Sequence, residues 1–224
     1  MEFFMKTIQP SRKQASTTIS AGNLAQSDLA GVTVQRGEFN SSALQKSDFS
    51  GADLTGSTLK SSDVREVRFD GANLTDCSLC ELDLTNASFA NAILVRTRFS
   101  NSALDGARFA GATLTDVALT RADLRSTRFE DCVFEGVDFK QSDLSGQRFD
   151  GQTFIGVCFD NAALAGASFR NASLRQVSFQ PGFTLTKRYY RMLKTICFDG
   201  ATMDKLTFAL LKGMDADLSH VTVI

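Results

Sequence analysis

Every fifth residue from Leu24 to Phe179 is Leu, Phe or Val, 32 consecutive positions without a slip. A helix returns an apolar side chain to one face about every 3.6 residues and a strand every two, so neither absorbs a strict period of five. Two residues before these positions the side chain is small, as at Ser27, Val32, Ala52, Ala72, Cys77, Ala87, Ala112, Val137, Ala167 and Val177; Leu82, Gln147 and Gln152 depart from this. The intervening residues are mostly Asp, Asn, Ser, Thr, Arg and Gly. Each unit of five therefore buries one large and one small side chain and exposes three. A chain that bends the same way in every unit winds into a coil, with the large residues stacked inside and the small ones at the corners.

A second period sets the number of sides. At twenty-residue spacing, Leu29, Phe49, Phe69, Phe89, Phe109, Phe129, Phe149 and Phe169 are Phe in seven of eight places, while Leu24, Leu44, Val64, Leu84, Leu104, Leu124, Leu144 and Leu164 contain no Phe. A fifteen-residue period alternates Leu with Phe and stacks unlike side chains. Four sides per coil place like on like. Two residues after the Phe column come Gly31, Gly51, Gly71, Asn91, Gly111, Asp131, Gly151 and Asn171. These residue types tolerate positive φ, so the spacing predicts a turn of that kind at this corner. The reading is an all-β solenoid, a four-sided (quadrilateral) β-helix of about eight uninterrupted coils. At about 4.8 Å per coil its shaft is about 40 Å long.

Composition narrows the function classes. Of 224 residues, 43% are hydrophobic and 22% charged, an ordinary globular balance, and the formal net charge is −1. There is no overall excess of either sign to draw in nucleic acid, so any electrostatic function rests on how charges are arranged. One His, His220, and no cluster of acid/base or metal-ligating residues argue against an enzyme, a cofactor site or a metal site. The five cysteines, Cys77, Cys80, Cys132, Cys158 and Cys197, are odd in number, and the single C-x-x-C at Cys77 and Cys80 has no second pair. The first residues carry no secretory apolar run, and no stretch approaches a membrane span, so a cytoplasmic location is expected.

Units such as SGADLTGSTL (50–59), DGANLTDCSL (70–79), AGATLTDVAL (110–119) and RNASLRQVSF (170–179) resemble the pentapeptide-repeat family, and the resemblance covers residues 21–180. It implies a right-handed β-helix. Members of that family protect DNA gyrase or topoisomerase IV from quinolones or peptide toxins by presenting an acidic rod shaped like duplex DNA; others are secreted effectors or scaffolds. The resemblance thus implies a macromolecule-binding solenoid, in its most concrete version a DNA-mimicking modulator of gyrase or topoisomerase IV. The alternative is a secreted effector or structural scaffold that meets a protein or membrane partner through its C-terminal region. It also implies a homodimer through the C-terminal cap.

The ends differ from the shaft. Residues 1–20 are expected to cap the first coil, with Phe3, Phe4, Met5 and Ile8 as apolar plugs. After Pro181 and Gly182, residues 184–196 carry Leu185, Tyr189, Met192, Leu193 and Ile196 at helical spacing, with Thr184 or Thr186 as N-cap. The five-residue step resumes in a shifted register at Phe198, Met203 and Phe208, so 181–224 reads as a helical insertion, last repeats and a cap. Phe208, Leu210, Leu211 and Met214 are the candidate cap and dimer residues.

Three charged arrays stand out. Asp63, Asp83, Asp123 and Asp143 form an acidic column and are the candidate partner-binding surface. Arg68, Arg108, Arg128 and Arg148 form a second column, whose expected partners are Asp70, Glu130 and Asp150 two residues on and Asp63, Asp123 and Asp143 five residues before. Lys187, Arg188, Arg191 and Lys194 form a basic helix face, read more readily as a solvated cap than as a nucleic-acid or membrane contact.

Overall fold

The computed structural model describes residues 17–182 and 187–224. The chain winds into a parallel solenoid of about ten coils. Side 1 carries the inward residues Ile19, Phe39, Leu59 and their successors to Phe179; side 2 carries Leu24 to Leu164; side 3 carries Leu29, Phe49 and onward to Phe169 and Phe198. Side 4 carries Val34, Leu54 and onward to Leu174, Met203 and Val223. Residues twenty apart pair in parallel all along the shaft, for example Asp28 with Asp48, Arg68 with Ser88 and Asp123 with Asp143. The amide of each inward residue donates to the coil above, as Phe49 N does to Arg68 O at 2.7 Å and Phe89 N to Arg108 O at 2.7 Å.

Extended strands occupy side 1 in the first coils, as β1 (Thr18–Ser20), β2 (Glu38–Asn40) and β3 (Thr58–Lys60), and side 4 thereafter. The side 4 strands are β4 (Ile93–Val95), β5 (Thr113–Thr115), β6 (Val133–Glu135), β7 (Thr153–Ile155), β8 (Ser173–Arg175), β9 (Thr202–Met203) and β10 (Thr222–Val223). These seven form one sheet in coil order. On side 4 two of the earlier coils bend where Asp53 and Asn73 accept from the amides of Thr55 and Thr75 at 3.1 Å. From Ile93 on, that position is β-branched or Ser, and the side stays extended.

Inside, the phenylalanines stack along the axis. Phe69, Phe89 and Phe109 follow at centroid separations of 5.3 and 4.7 Å with interplanar angles of 15° and 10°. Phe139 and Phe159 lie 5.1 Å apart and 2° from parallel. Between sides the rings meet edge on, as Phe159 and Phe169 do at 81°. Offset stacking in one direction and edge contact in the other suit the ring quadrupole.

Corners close through side-chain bonds to the coil below. Ser57, Ser62, Thr97, Ser102 and Thr127 donate to the carbonyl 23 residues earlier, at 2.7 to 3.0 Å. The two glutamines that break the small-residue rule use the same acceptors. Gln147 Nε2 donates to Leu124 O and, at 2.7 Å, to Thr127 O, and Gln152 Nε2 reaches Phe129 O at 3.2 Å. The glycine-rich corner has positive φ throughout, from Gly31 at 67° and Asn91 at 56° to Gly200 at 70°. The other corners adopt it too, including Arg36, Lys46, Glu66 and Arg121. Non-glycine residues persist there because the ladder above and below fixes the backbone.

Beyond the uninterrupted run the C-terminal region adds to the stack. Helix α1 (Lys187–Leu193) inserts nine residues between side 1 and side 2, after which Leu193 and Ile196 are buried and Phe198 stacks on Phe169 at 5.5 Å. Ser173 and Thr202, 29 apart, still pair, and Thr202 and Thr222 return to twenty. Helix α2 (Lys205–Gly213), capped by Asp204, covers the end of the shaft. Residues 1–16, including Phe3, Phe4, Met5 and Ile8, and Thr184, Leu185 and Thr186 lie outside the described residues.

Phe149 touches rings on all its neighbours, among them Phe129, Phe134, Phe154, Phe159 and Phe169. Phe149→Ala is expected to cost about 3–5 kcal/mol, and Phe149→Leu less than half of that, read from guanidinium denaturation midpoints.

Candidate partner-binding faces

The acidic column lies on side 2. Ala43 pairs with Asp63, Asp83 with Ala103, Ala103 with Asp123, and Asp123 with Asp143, so the four aspartates form a ladder with one alanine gap. Each side chain has a local role, since its Oδ1 accepts from the amide two residues on. Asp83 takes Thr85 N at 3.0 Å and Asp143 takes Ser145 N at 3.0 Å. Asn23 and Asn73 make the same bond at 3.2 and 3.1 Å, so an amide fills the position as well as an acid.

Charge on this face is partly neutralised. Arg65 grips Asp63 at 2.5 Å, and Arg125 grips Asp123 at 2.6 Å and reaches Asp143 at 3.6 Å. The guanidinium of Arg65, then the Arg65 amide, holds the Asp63 carboxyl below the usual carboxylate range; Arg125 does the same for Asp123.

The arginine column on side 3 pairs as expected with Asp70 and Asp150, but not with Glu130 or with the aspartates five residues before. Arg68 bridges Asp48 one coil below at 3.1 Å and Asp70 in its own coil at 3.2 Å, and Arg148 holds Asp150 at 2.9 Å. Arg108 and Arg128 have no carboxylate in ion-pair range among the described residues, Glu130 included. Asp63, Asp123 and Asp143 pair with Arg65 and Arg125 instead, because residues either side of an inward residue both point outward from one strand, whereas Arg68 lies round a corner.

At the C-terminal end, Leu211 and Met214 are buried, and Phe208 and Leu210 pack against the core, with Lys212 Nζ 5.8 Å from the Phe208 ring centroid. Lys194 is held by Asp215 at 2.5 Å, and Tyr189 donates to Phe179 O at 2.6 Å, so α1 is tied down on two sides. Lys187 and Arg191 face solvent; the side chain of Arg188 lies outside the described residues.

Cys77 points inward and donates to Leu54 O, while Cys80 points outward, so the C-x-x-C does not converge. Burial pushes the Cys77 and Cys132 thiols up to about 12. Among the described residues no group of three or more His, Cys, Asp and Glu side chains is placed to hold a metal ion. No helix among them is long and apolar enough to cross a membrane.

The family described as Pentapeptide repeat region matches residues 72–149, and Pentapeptide repeats (8 copies) matches residues 23–60 and 132–171. The chain belongs to the pentapeptide-repeat family. Among solved structures it is similar to HetL, a pentapeptide repeat protein involved in heterocyst differentiation regulation in the cyanobacterium Nostoc sp. strain PCC 7120, with a TM-score of 0.64 at 19% identity over 84% of this chain and 87% of that one. It is also similar to QnrB1, a plasmid-mediated fluoroquinolone resistance protein, with a TM-score of 0.47 at 17% identity over 88% and 98% of the two chains. Rfr23 from the cyanobacterium Cyanothece 51142 gives a TM-score of 0.39 at 21% identity over 51% and 85%. No curated protein matches the sequence.

Because the folded-state values of Asp63 and Asp123 are depressed, their contribution to stability is present above the unfolded value near 4 and is lost as pH falls through the lower folded values. The denaturation midpoint is expected to hold between about pH 5 and 7 and to fall below about pH 4. The pair Asp63→Asn and Asp123→Asn is expected to flatten that decline, measured by thermal melts across the acid range.

Proposed function

We propose that this chain is a non-catalytic binding rod that presents side 2 to the basic surface of a protein partner. The observation that carries the reading is the ladder Asp63, Asp83, Asp123 and Asp143, two adjacent pairs separated by Ala103 on one face and held by bonds to their own backbone. Rungs about 4.8 Å apart give a row of carboxylates that a cationic groove meets without either surface rearranging. Arg65 and Arg125 lower the net charge of the row, so recognition depends on the spacing of acids and arginines together rather than on a uniform negative field.

A groove that normally holds duplex DNA is the partner class that fits such a row, and the most concrete version is DNA gyrase or topoisomerase IV. Occupancy of the DNA-binding saddle by the rod would then compete with the duplex. The family resemblance supports this choice of enzyme and makes a quinolone the natural probe.

The test uses the quadruple variant Asp63→Asn, Asp83→Asn, Asp123→Asn, Asp143→Asn, which keeps the turn-holding bond that Asn23 and Asn73 already make. In a gyrase supercoiling assay with a quinolone present, the unaltered protein is expected to restore supercoiling or, without drug, to inhibit it. The quadruple variant is expected to lose that effect by about tenfold or more in required concentration. Equal potency of the two proteins would remove side 2 from the account, and no effect of either at any ratio would remove topoisomerases.

A further inference from the structure

Side 4, opposite the acidic ladder, is the flattest and least charged part of the shaft. Its seven strands β4 to β10 present two outward columns, one of Ile93, Thr113, Val133, Thr153, Ser173, Thr202 and Thr222 and one of Val95, Thr115, Glu135, Ile155, Arg175, Asp204 and Ile224. Ile93, Val133, Ile155 and Ile224 are 45, 53, 39 and 51% exposed, which is unusual for large apolar side chains gathered on one sheet.

The order of residues along this face is self-complementary about its middle strand, β7. One coil to either side of Ile155 stand Glu135 and Arg175. Two coils to either side, at the adjoining corner, stand Asp116 and Lys205, and three coils to either side stand Val95 and Ile224. None of Glu135, Arg175, Asp116 and Lys205 makes an ion pair among the described residues, whereas Arg65, Arg68, Arg96, Arg125 and Arg148 all do.

We propose that a second copy of this chain docks on side 4, sheet against sheet, with the two shafts antiparallel and the two-fold axis along β7. A two-fold in that position brings each residue opposite the one equally far on the other side of β7. Glu135 then faces Arg175 of the second copy and Asp116 faces Lys205, each pair twice, while Ile155 meets Ile155 and Val95 meets Ile224. In one copy the charges stand too far apart to pair; in two they close into four ion pairs around an apolar centre. Sheets packed in this way sit about 10 Å apart with interdigitated side chains.

Seven strands span about 29 Å along the axis, so a face roughly 15 Å wide buries on the order of 1,000 Å² in total across both copies. That is the small end of specific interfaces, and it sets a dimer that forms in the micromolar range. The arrangement leaves side 2 of both copies facing outward. It also places β10 against β4 of the other copy, unlike a contact between the two C-terminal tips.

Sedimentation velocity up to about 100 μM tests the proposal on the full chain. The unaltered protein is expected to dimerise. Ile155→Glu, at an exposed position that leaves the core intact, is expected to give a monomer. Glu135→Arg and Arg175→Glu are each expected to weaken association by about tenfold or more, because each sets like charges opposite one another, and the double variant is expected to restore it. With Cys80, Cys158 and Cys197 changed to Ser, Thr153→Cys is expected to cross-link to itself with a short bismaleimide that spans the gap between the sheets, since the two-fold places residue 153 opposite its own copy. A monomer at every concentration would overturn the proposal. So would a dimer indifferent to Ile155→Glu, failure of the double charge swap to recover association, or the absence of the Thr153→Cys cross-link.

Discussion

Every coil of this molecule must return to its starting side after twenty residues, because the ladder that ties one coil to the next joins residues that sit one above the other. The hydrogen bonds of Phe49, Phe69, Phe89 and Phe109 all run to the carbonyl nineteen residues ahead. A slip of one unit would keep those bonds geometrically available but put Phe over Leu and move every outward charge onto another side. The stacked rings and the corner bonds of Ser57, Thr97 and Thr127 therefore act together: the rings choose the register, and the corners hold it. Even the nine-residue insertion that forms α1 respects this closure, since Phe198 re-enters the column on top of Phe169.

A shaft built on inward contacts leaves its outer residues largely free to vary, and this chain uses its sides differently. Side 2 carries acids whose structural task an asparagine performs equally well, so their charge is separable from the fold. Side 3 is braced across coils by Arg68, which holds Asp48 and Asp70, while Arg148 pairs with Asp150 within its coil. Side 4 is extended, poor in charge and exposes isoleucine and valine. Exposed ion pairs of this kind contribute little stability individually, so the arrangement of signs reads as a recognition pattern more than as reinforcement.

Much of this was legible before the structure. The five-residue step gave the inward columns, the twenty-residue recurrence of Phe gave four sides, and the run from Gly31 to Asn171 marked a corner of positive φ. The same conformation at Arg36, Glu66 and Arg121 was hidden because those residues do not advertise it; only the neighbouring coils impose it. Gln147 and Gln152 looked out of place because their carboxamides find acceptors in another coil, 23 residues back. The partners of the acidic column were misassigned for a similar reason. Arg68 and Arg128 stand out in the sequence because they form a column, but the outward direction shared by Asp63 and Arg65, and by Asp123 and Arg125, decides the contact. The resumed step at Phe198 and Met203 was legible as last repeats, but the nine-residue offset hid which column each residue would join.

The central claim is that closure at twenty residues, rather than the five-residue unit, governs stability. Deleting residues 110–129 removes one full coil, and deleting 110–124 removes three units and rotates everything beyond by one side. The unfolding free energy of the two variants, compared by chemical denaturation, tests the claim directly. The full-coil deletion is expected to unfold cooperatively at a midpoint near that of the intact chain, and the three-unit deletion to lose several kcal/mol, on the order of one or two disrupted aromatic contacts per coil. Equal stability of the two would contradict the account.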